Sequence, residues 1–126
     1  MKSSDVGSKK YQPMVKKSMR AFVEMCQKLL DKQNYDQCKK ETEKAIKLKL
    51  YGEIPQDASL FLHCGIANLK LGYLLIAEQM LNKCLAFPEI KSEAQAQLAI
   101  TYKEQGRFQE AIEMYNQYMN GDPTHD

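Results

Sequence analysis

The chain repeats itself. Shifting the segment from Ala58 to Pro88 by 34 residues sets Gly65 on Ala99, Gly72 on Gly106, Ala77 on Ala111 and Leu81 on Tyr115, with Pro88 and Pro123 one residue out of step. A further copy lies upstream at an offset of 39, where Phe22 corresponds to Phe61, Cys26 to Gly65, Tyr35 to Leu74 and Cys38 to Ala77. The five extra residues fall in the connection YGEIPQD. Small residues meet small ones and bulky apolar residues meet bulky apolar ones. A period of this length confines the fold to a stack of like supersecondary units, because one unit alone cannot bury its apolar face.

Each copy reads as two helices, since apolar residues recur at spacings of three and four on both sides of a short polar break, DKQN, LKLG or KEQG. The pattern predicts helices at about 14–32, 35–49, 56–71, 74–86, 90–105 and 108–120. Pro13 and Pro55 suit helix starts, Asp57 offers a cap, and Gly72 and Gly106 suit the left-handed residue that closes one helix before the next begins. At 126 residues, 44% hydrophobic and 27% charged, the chain has the material for one folded domain, expected over residues 13–123. Residues 1–12 read as a flexible tail.

These copies resemble the tetratricopeptide repeat, a 34-residue helix-turn-helix with small residues at the helix crossings, a large apolar residue near the turn and a closing proline. The third copy carries the resemblance best, with Leu98, Ala99, Tyr102, Gly106, Phe108, Ala111, Tyr115 and Pro123 each where the motif expects its residue type. The second copy departs at Asn68, where the family prefers an aromatic, and the first at Thr42. The resemblance implies an all-α, right-handed superhelix of about six antiparallel helices, with repeats at about 19–52, 58–91 and 92–125. Antiparallel helices approach closely only where a small side chain sits at the crossing. Cys26 shares the crossing of Gly65 and Ala99, and Cys38 that of Ala77 and Ala111; Cys64 and Cys84 also align with packing positions. All four are therefore expected to act as small hydrophobes in the core.

The resemblance also implies a binding role, because the first helix of each hairpin lines a concave face that in this family cradles an extended peptide or a partner's helix. The expected groove comprises Val23, Gln27, Leu30, Leu62, His63, Ile66, Leu69, Ala96, Gln97 and Ile100. One subset of the family holds a chaperone's C-terminal carboxylate with cationic and amide donors. Here the matching positions carry Val23, Gln27, His63, Glu93 and Gln97, each of which removes a required donor or substitutes a weaker one, and Glu93 would repel a carboxylate. The remaining strip is mostly apolar and suits an apolar peptide or an amphipathic helix, unless the tail or the curvature of the stack covers part of it. His63 reads either as a pH-sensitive contact or as an ordinary polar residue.

On the last helix Phe108, Ala111, Ile112, Tyr115 and Met119 form one apolar stripe, widened by Met114 and Tyr118. A repeat array needs a polar outer face at its end. Either the chain belongs to a longer protein, or Phe108, Ile112, Tyr115 and Met119 form a docking surface for a partner or for a second copy as a homodimer. The expected function is thus a protein-interaction module, as adaptor or scaffold. The alternative is a small chaperone of the type III secretion kind that shields a helix of a secreted partner.

Other classes are disfavoured. No nucleophile and base pair, glycine-rich phosphate loop or HExxH motif occurs, so no catalytic residue is assigned and the chain is not expected to be an enzyme. The four cysteines form no CxxC pair and only two histidines are present, so neither metal nor cofactor is expected, and a reduced, cytoplasmic location follows. Nothing in the sequence is apolar enough for a membrane span or a secretory signal. Residues 1–50 hold 13 Lys+Arg against 6 Asp+Glu and residues 51–126 hold 5 against 10, giving +7 and −5. The basic half raises nucleic-acid binding as a weaker option, but Phe22 and Tyr35 are claimed by packing, leaving Tyr11 to stack on a base.

Overall fold

The computed structural model describes residues 12–48 and 55–121, and every described element is a helix: α1 (Gln12–Asp31), α2 (Tyr35–Lys47), α3 (Pro55–Leu71), α4 (Leu74–Cys84), α5 (Pro88–Glu104) and α6 (Phe108–Asn120). The expected ends agree to within about two residues, α5 starting at Pro88 because a proline in the first turn lacks only an N–H that has no helical partner anyway. Of the tail expected over 1–12, Gln12 begins α1 and residues 1–11 lie outside the described residues, as do residues 51–54 of the YGEIPQD connection and Pro123; Asp57, expected as a cap, is instead the third residue of α3, because the helix already starts at Pro55.

Three hairpins, α1/α2, α3/α4 and α5/α6, share one turn. Gln33, Gly72 and Gly106 occupy the same place in it, each with positive φ (60°, 91° and 80°). The following amide bonds back across the turn at the same length each time: Asn34 N–H to Leu29 O, Tyr73 to Asn68 and Arg107 to Tyr102, all 2.8 Å. A second bond joins Gln33 to Leu30, Gly72 to Leu69 and Gly106 to Lys103. These paired bonds satisfy carbonyls that the ending helix leaves unpaired. The positions are separated by 39 and 34 residues, so the sequence echo is an echo of backbone geometry.

The hairpins stack in chain order. Each helix packs on its neighbours in sequence, and α3 also touches both α1 and α5, whereas α2, α4 and α6 have no comparable mutual contact. The first helices therefore form the closer, inner row. Second helices bury residues at i, i+4 and i+7: Cys38, Thr42 and Ala45 on α2, and Ala77, Leu81 and Cys84 on α4. The main core joins that α4 set to Leu62 and Leu69 of α3 and to Ala94, Leu98 and Tyr102 of α5.

At the crossing of α3 and α4 the backbones come close enough that a Cβ on Gly65 would lie 2.7 Å from Leu81 Cγ and 2.8 Å from its Cδ2. Only glycine fits against a leucine there. In the first hairpin the register positions of Gly65 and Leu81 hold Cys26 and Thr42, both fully buried; Thr42 Oγ1 donates to Cys38 O at 2.7 Å and so carries no unpaired hydroxyl into the core. All four cysteines are free and buried. Burial pushes the Cys64 thiol up to about 11 and the Cys84 thiol up to about 12, which keeps both protonated.

Candidate functional site

The expected groove on the first helices does not form as one surface. Leu62 and Leu69 are core residues, sealed between α4 and α5 because α3 is flanked on both sides, and this corrects their placement on an open strip. His63 is also buried, 5% exposed, with its Nδ1 meeting no hydrogen-bond partner. Desolvation lowers its pKa to about 4, against an opposing pull from Asp31, so the ring is neutral at ordinary pH and is no surface contact. Val23, Leu30 and Ile66 are half-buried and pack against core clusters. Ala96 and Gln97 are half-buried, and Gln27 is exposed but bonded to Asp31 at 2.9 Å. Ile100 is exposed, and it lies elsewhere.

Ile100 belongs with the stripe of α6. Together with Ala99 and Lys103 of α5, and Phe108, Ala111, Ile112, Tyr115 and Asn116 of α6, it lines an open groove of about 420 Å³. Phe108, Ile112, Tyr115 and Met119 are each more than half exposed. Met114 and Ala111 turn inward onto the main core, and Tyr118 is half-buried with its ring 5.9 Å from that of Tyr115.

The repeat register explains why this groove is open. One repeat earlier, Ala77, Leu81 and Cys84 hold the places of Ala111, Tyr115 and Tyr118, and two repeats earlier Cys38, Thr42 and Ala45 do. Both earlier sets are covered by the hairpin that follows them and are at most 3% exposed. On α6 no residue is buried. The groove is thus the same seat, in third place, with no helix among the described residues to fill it as in the first two.

Polar groups set the edge of each filled seat. Between the first two hairpins Lys39 Nζ reaches Glu43 (2.6 Å) and Asn68 Oδ1 (2.8 Å) and lies over the Tyr73 ring, while the fully buried Asn68 amide donates to Cys64 O and Glu43. Asn68, which departs from the expected aromatic, is thereby the polar link of that junction. Between the second and third hairpins Arg107 pairs with Glu78 at 2.8 Å and lies over the Tyr102 ring, and Gln105 also donates to Glu78. The position held by Lys39 and Glu78 at these junctions is Ile112 at the open one.

The architecture defines a helical-hairpin repeat protein. Residues 92–125, which contain most of α5 and all of α6, match the tetratricopeptide repeat model, and that segment is a tetratricopeptide repeat, a class of module that mediates protein–protein interaction. Neither the curated proteins nor the solved structures give a match to the chain. No helix of the described residues is long and apolar enough to cross a membrane.

Proposed function

We propose that the chain is a non-catalytic protein-binding module, an adaptor or scaffold built of three such repeats, that seats an amphipathic helix or apolar peptide of another protein between α5 and α6. The observation that supports this reading is the uncovered seat itself: a groove of about 420 Å³ whose counterparts in the two preceding hairpins are each filled by a helix. Completing the burial of a half-exposed Phe, Ile, Tyr or Met is worth roughly 1 kcal/mol apiece, so the four large side chains supply several kcal/mol toward binding. The segment that fills the seat of the second hairpin presents Ala94, Leu98 and Tyr102, a small, a large and an aromatic residue on one face at spacings of four. A ligand helix of that pattern is the expected fit.

The test is an NMR titration of the chain with a helical peptide carrying the sequence of residues 88–104. Shifts should concentrate at Ile100, Phe108, Ile112 and Tyr115, and Ile112→Glu should abolish them. Shifts confined instead to Val23, Leu30, Ile66 and Ala96 would move the site to the face of the first helices.

A further inference from the structure

The repeat register also identifies a helix that matches the open seat. Residues Ala94, Leu98 and Tyr102, by which α5 packs on the second hairpin, correspond to Leu60, Cys64 and Asn68 of α3, which are fully buried against the first. One step further back they correspond to Ala21, Met25 and Leu29 of α1. This face of α1 has no described hairpin in front of it. Ala21 is exposed, Met25 is 42% exposed and Leu29 is half-buried. Among the described residues nothing is seated on the α5/α6 groove or against this face of α1, and by the repeat register the two surfaces are the two halves of one internal interface.

We propose that a second copy of this chain occupies the α5/α6 seat through the Ala21–Met25–Leu29 face of its α1, so that copies stack head to tail and continue the repeat. This proposal rests on the reading of the groove as a helix seat, and three observations favour a second copy as occupant. The pattern is right, with a small residue followed by larger apolar ones at spacings of four. The edge of the seat also matches. Carried through the register, the Lys39–Asn68 pair of the first junction brings Ile112 opposite Leu29, apolar against apolar, while the Glu78–Arg107 pair of the second brings Ile112 beside the uncharged Asn34.

Charge points the same way. The half containing α1 carries +7 and the half containing α5 and α6 carries −5, so a head-to-tail contact joins opposite fields while a tail-to-tail contact joins like ones. A contact between two different faces does not close on itself as a two-fold dimer does; it grows until it forms a ring or an open filament.

Sedimentation velocity on the parent chain, on Met25→Glu and on Ile112→Glu, over a wide range of concentration at low salt, tests the idea. Both substituted positions are exposed, and far-UV circular dichroism of each variant should match the parent. The parent is expected to grow beyond a dimer as concentration rises. Each variant alone should lose at least about thirtyfold in self-association, as a central interface residue does when replaced by a charge. Mixed in equal amounts, the two variants should form a one-to-one dimer that grows no further, because Ile112→Glu retains a working α1 face and Met25→Glu a working seat.

Association of Met25→Glu with itself, undiminished, would mean tail-to-tail pairing through α6 and overturn the proposal. A parent that stays monomeric at every concentration would overturn it as well. In that case the titration with the 88–104 peptide separates the two claims: binding to the parent keeps the helix seat and removes only the second copy, and failure to bind removes both.

Discussion

Replacing Gly65 with alanine should reverse the sign of its effect according to what stands opposite, and this tests the close crossing at the centre of the fold. A Cβ at position 65 meets Leu81 Cγ at 2.7 Å and Cδ2 at 2.8 Å, about 1 Å inside ordinary carbon–carbon contact. Leu81 is fully buried in the main core, so the added methyl forces it or the backbone to give way, at a cost of about 3 kcal/mol, the upper part of the range for overpacking. Alanine in place of glycine inside a helix returns about 1 kcal/mol. The net expectation is a loss of about 2 kcal/mol. For a 126-residue chain each kcal/mol corresponds to about 4 °C in Tm, so the transition should fall by about 8 °C.

In a Leu81→Ala background, itself destabilised by roughly 2–5 kcal/mol, the obstacle is gone and the same Gly65→Ala change should stabilise by about 1 kcal/mol. The coupling between the two sites is then about 3 kcal/mol, readable in a urea-unfolding cycle of the four proteins followed by far-UV circular dichroism. A Gly65→Ala protein as stable as the parent while Leu81 is in place would refute the close crossing.

Three further outcomes follow from the geometry. His63 has a folded pKa lowered to about 4 from an unfolded 6.5, so the unfolded chain takes up a proton first: its contribution is complete above pH 6.5 and is lost as the pH falls toward 4, costing about 2 kcal/mol between pH 7 and pH 5. Urea titrations at the two pH values should show this excess loss in the parent and not in His63→Gln. Gln33 adopts the left-handed turn conformation that glycine holds in the other two hairpins, so Gln33→Gly should stabilise the chain by about 1 kcal/mol in the same assay, and a loss would contradict the shared turn. Asn68→Ala should cost about 2 kcal/mol by removing the bonds to Cys64 O, Lys39 and Glu43 from a fully buried site. A change below about 0.5 kcal/mol, the ordinary range for surface substitutions, would show that junction to be dispensable.

The helices and their turns were legible because they are governed by local rules. Spacings of three and four define a helix face, and Gly72 and Gly106 announce the left-handed residue at the turn. Gln33 did the same work without announcing it, since its side chain carries no such signal; only the 39-residue offset from Gly72 hinted at its role. The burial of Cys26, Cys38, Cys64 and Cys84 was legible by alignment with packing positions, small residues for Cys26, Cys38 and Cys84 and Leu98 for Cys64. For the stripe on α6, the amphipathic pattern alone named Phe108, Ile112, Tyr115 and Met119, which the structure leaves exposed.

Ten residues of the first helices could not be sorted in that way, because a helix in a stack has two kinds of apolar face and its own periodicity does not tell them apart. Leu62 and Leu69 were expected on an open strip and are core, Ile100 was expected among them and lines the α5/α6 groove, and His63 is a buried neutral ring. What the amino-acid sequence determined by itself is the repeating unit, since each hairpin is closed by bonds between residues a few positions apart. Which faces are filled and which are left for a partner was decided by the stacking of one hairpin on the next, an arrangement of surfaces that no single helix encodes.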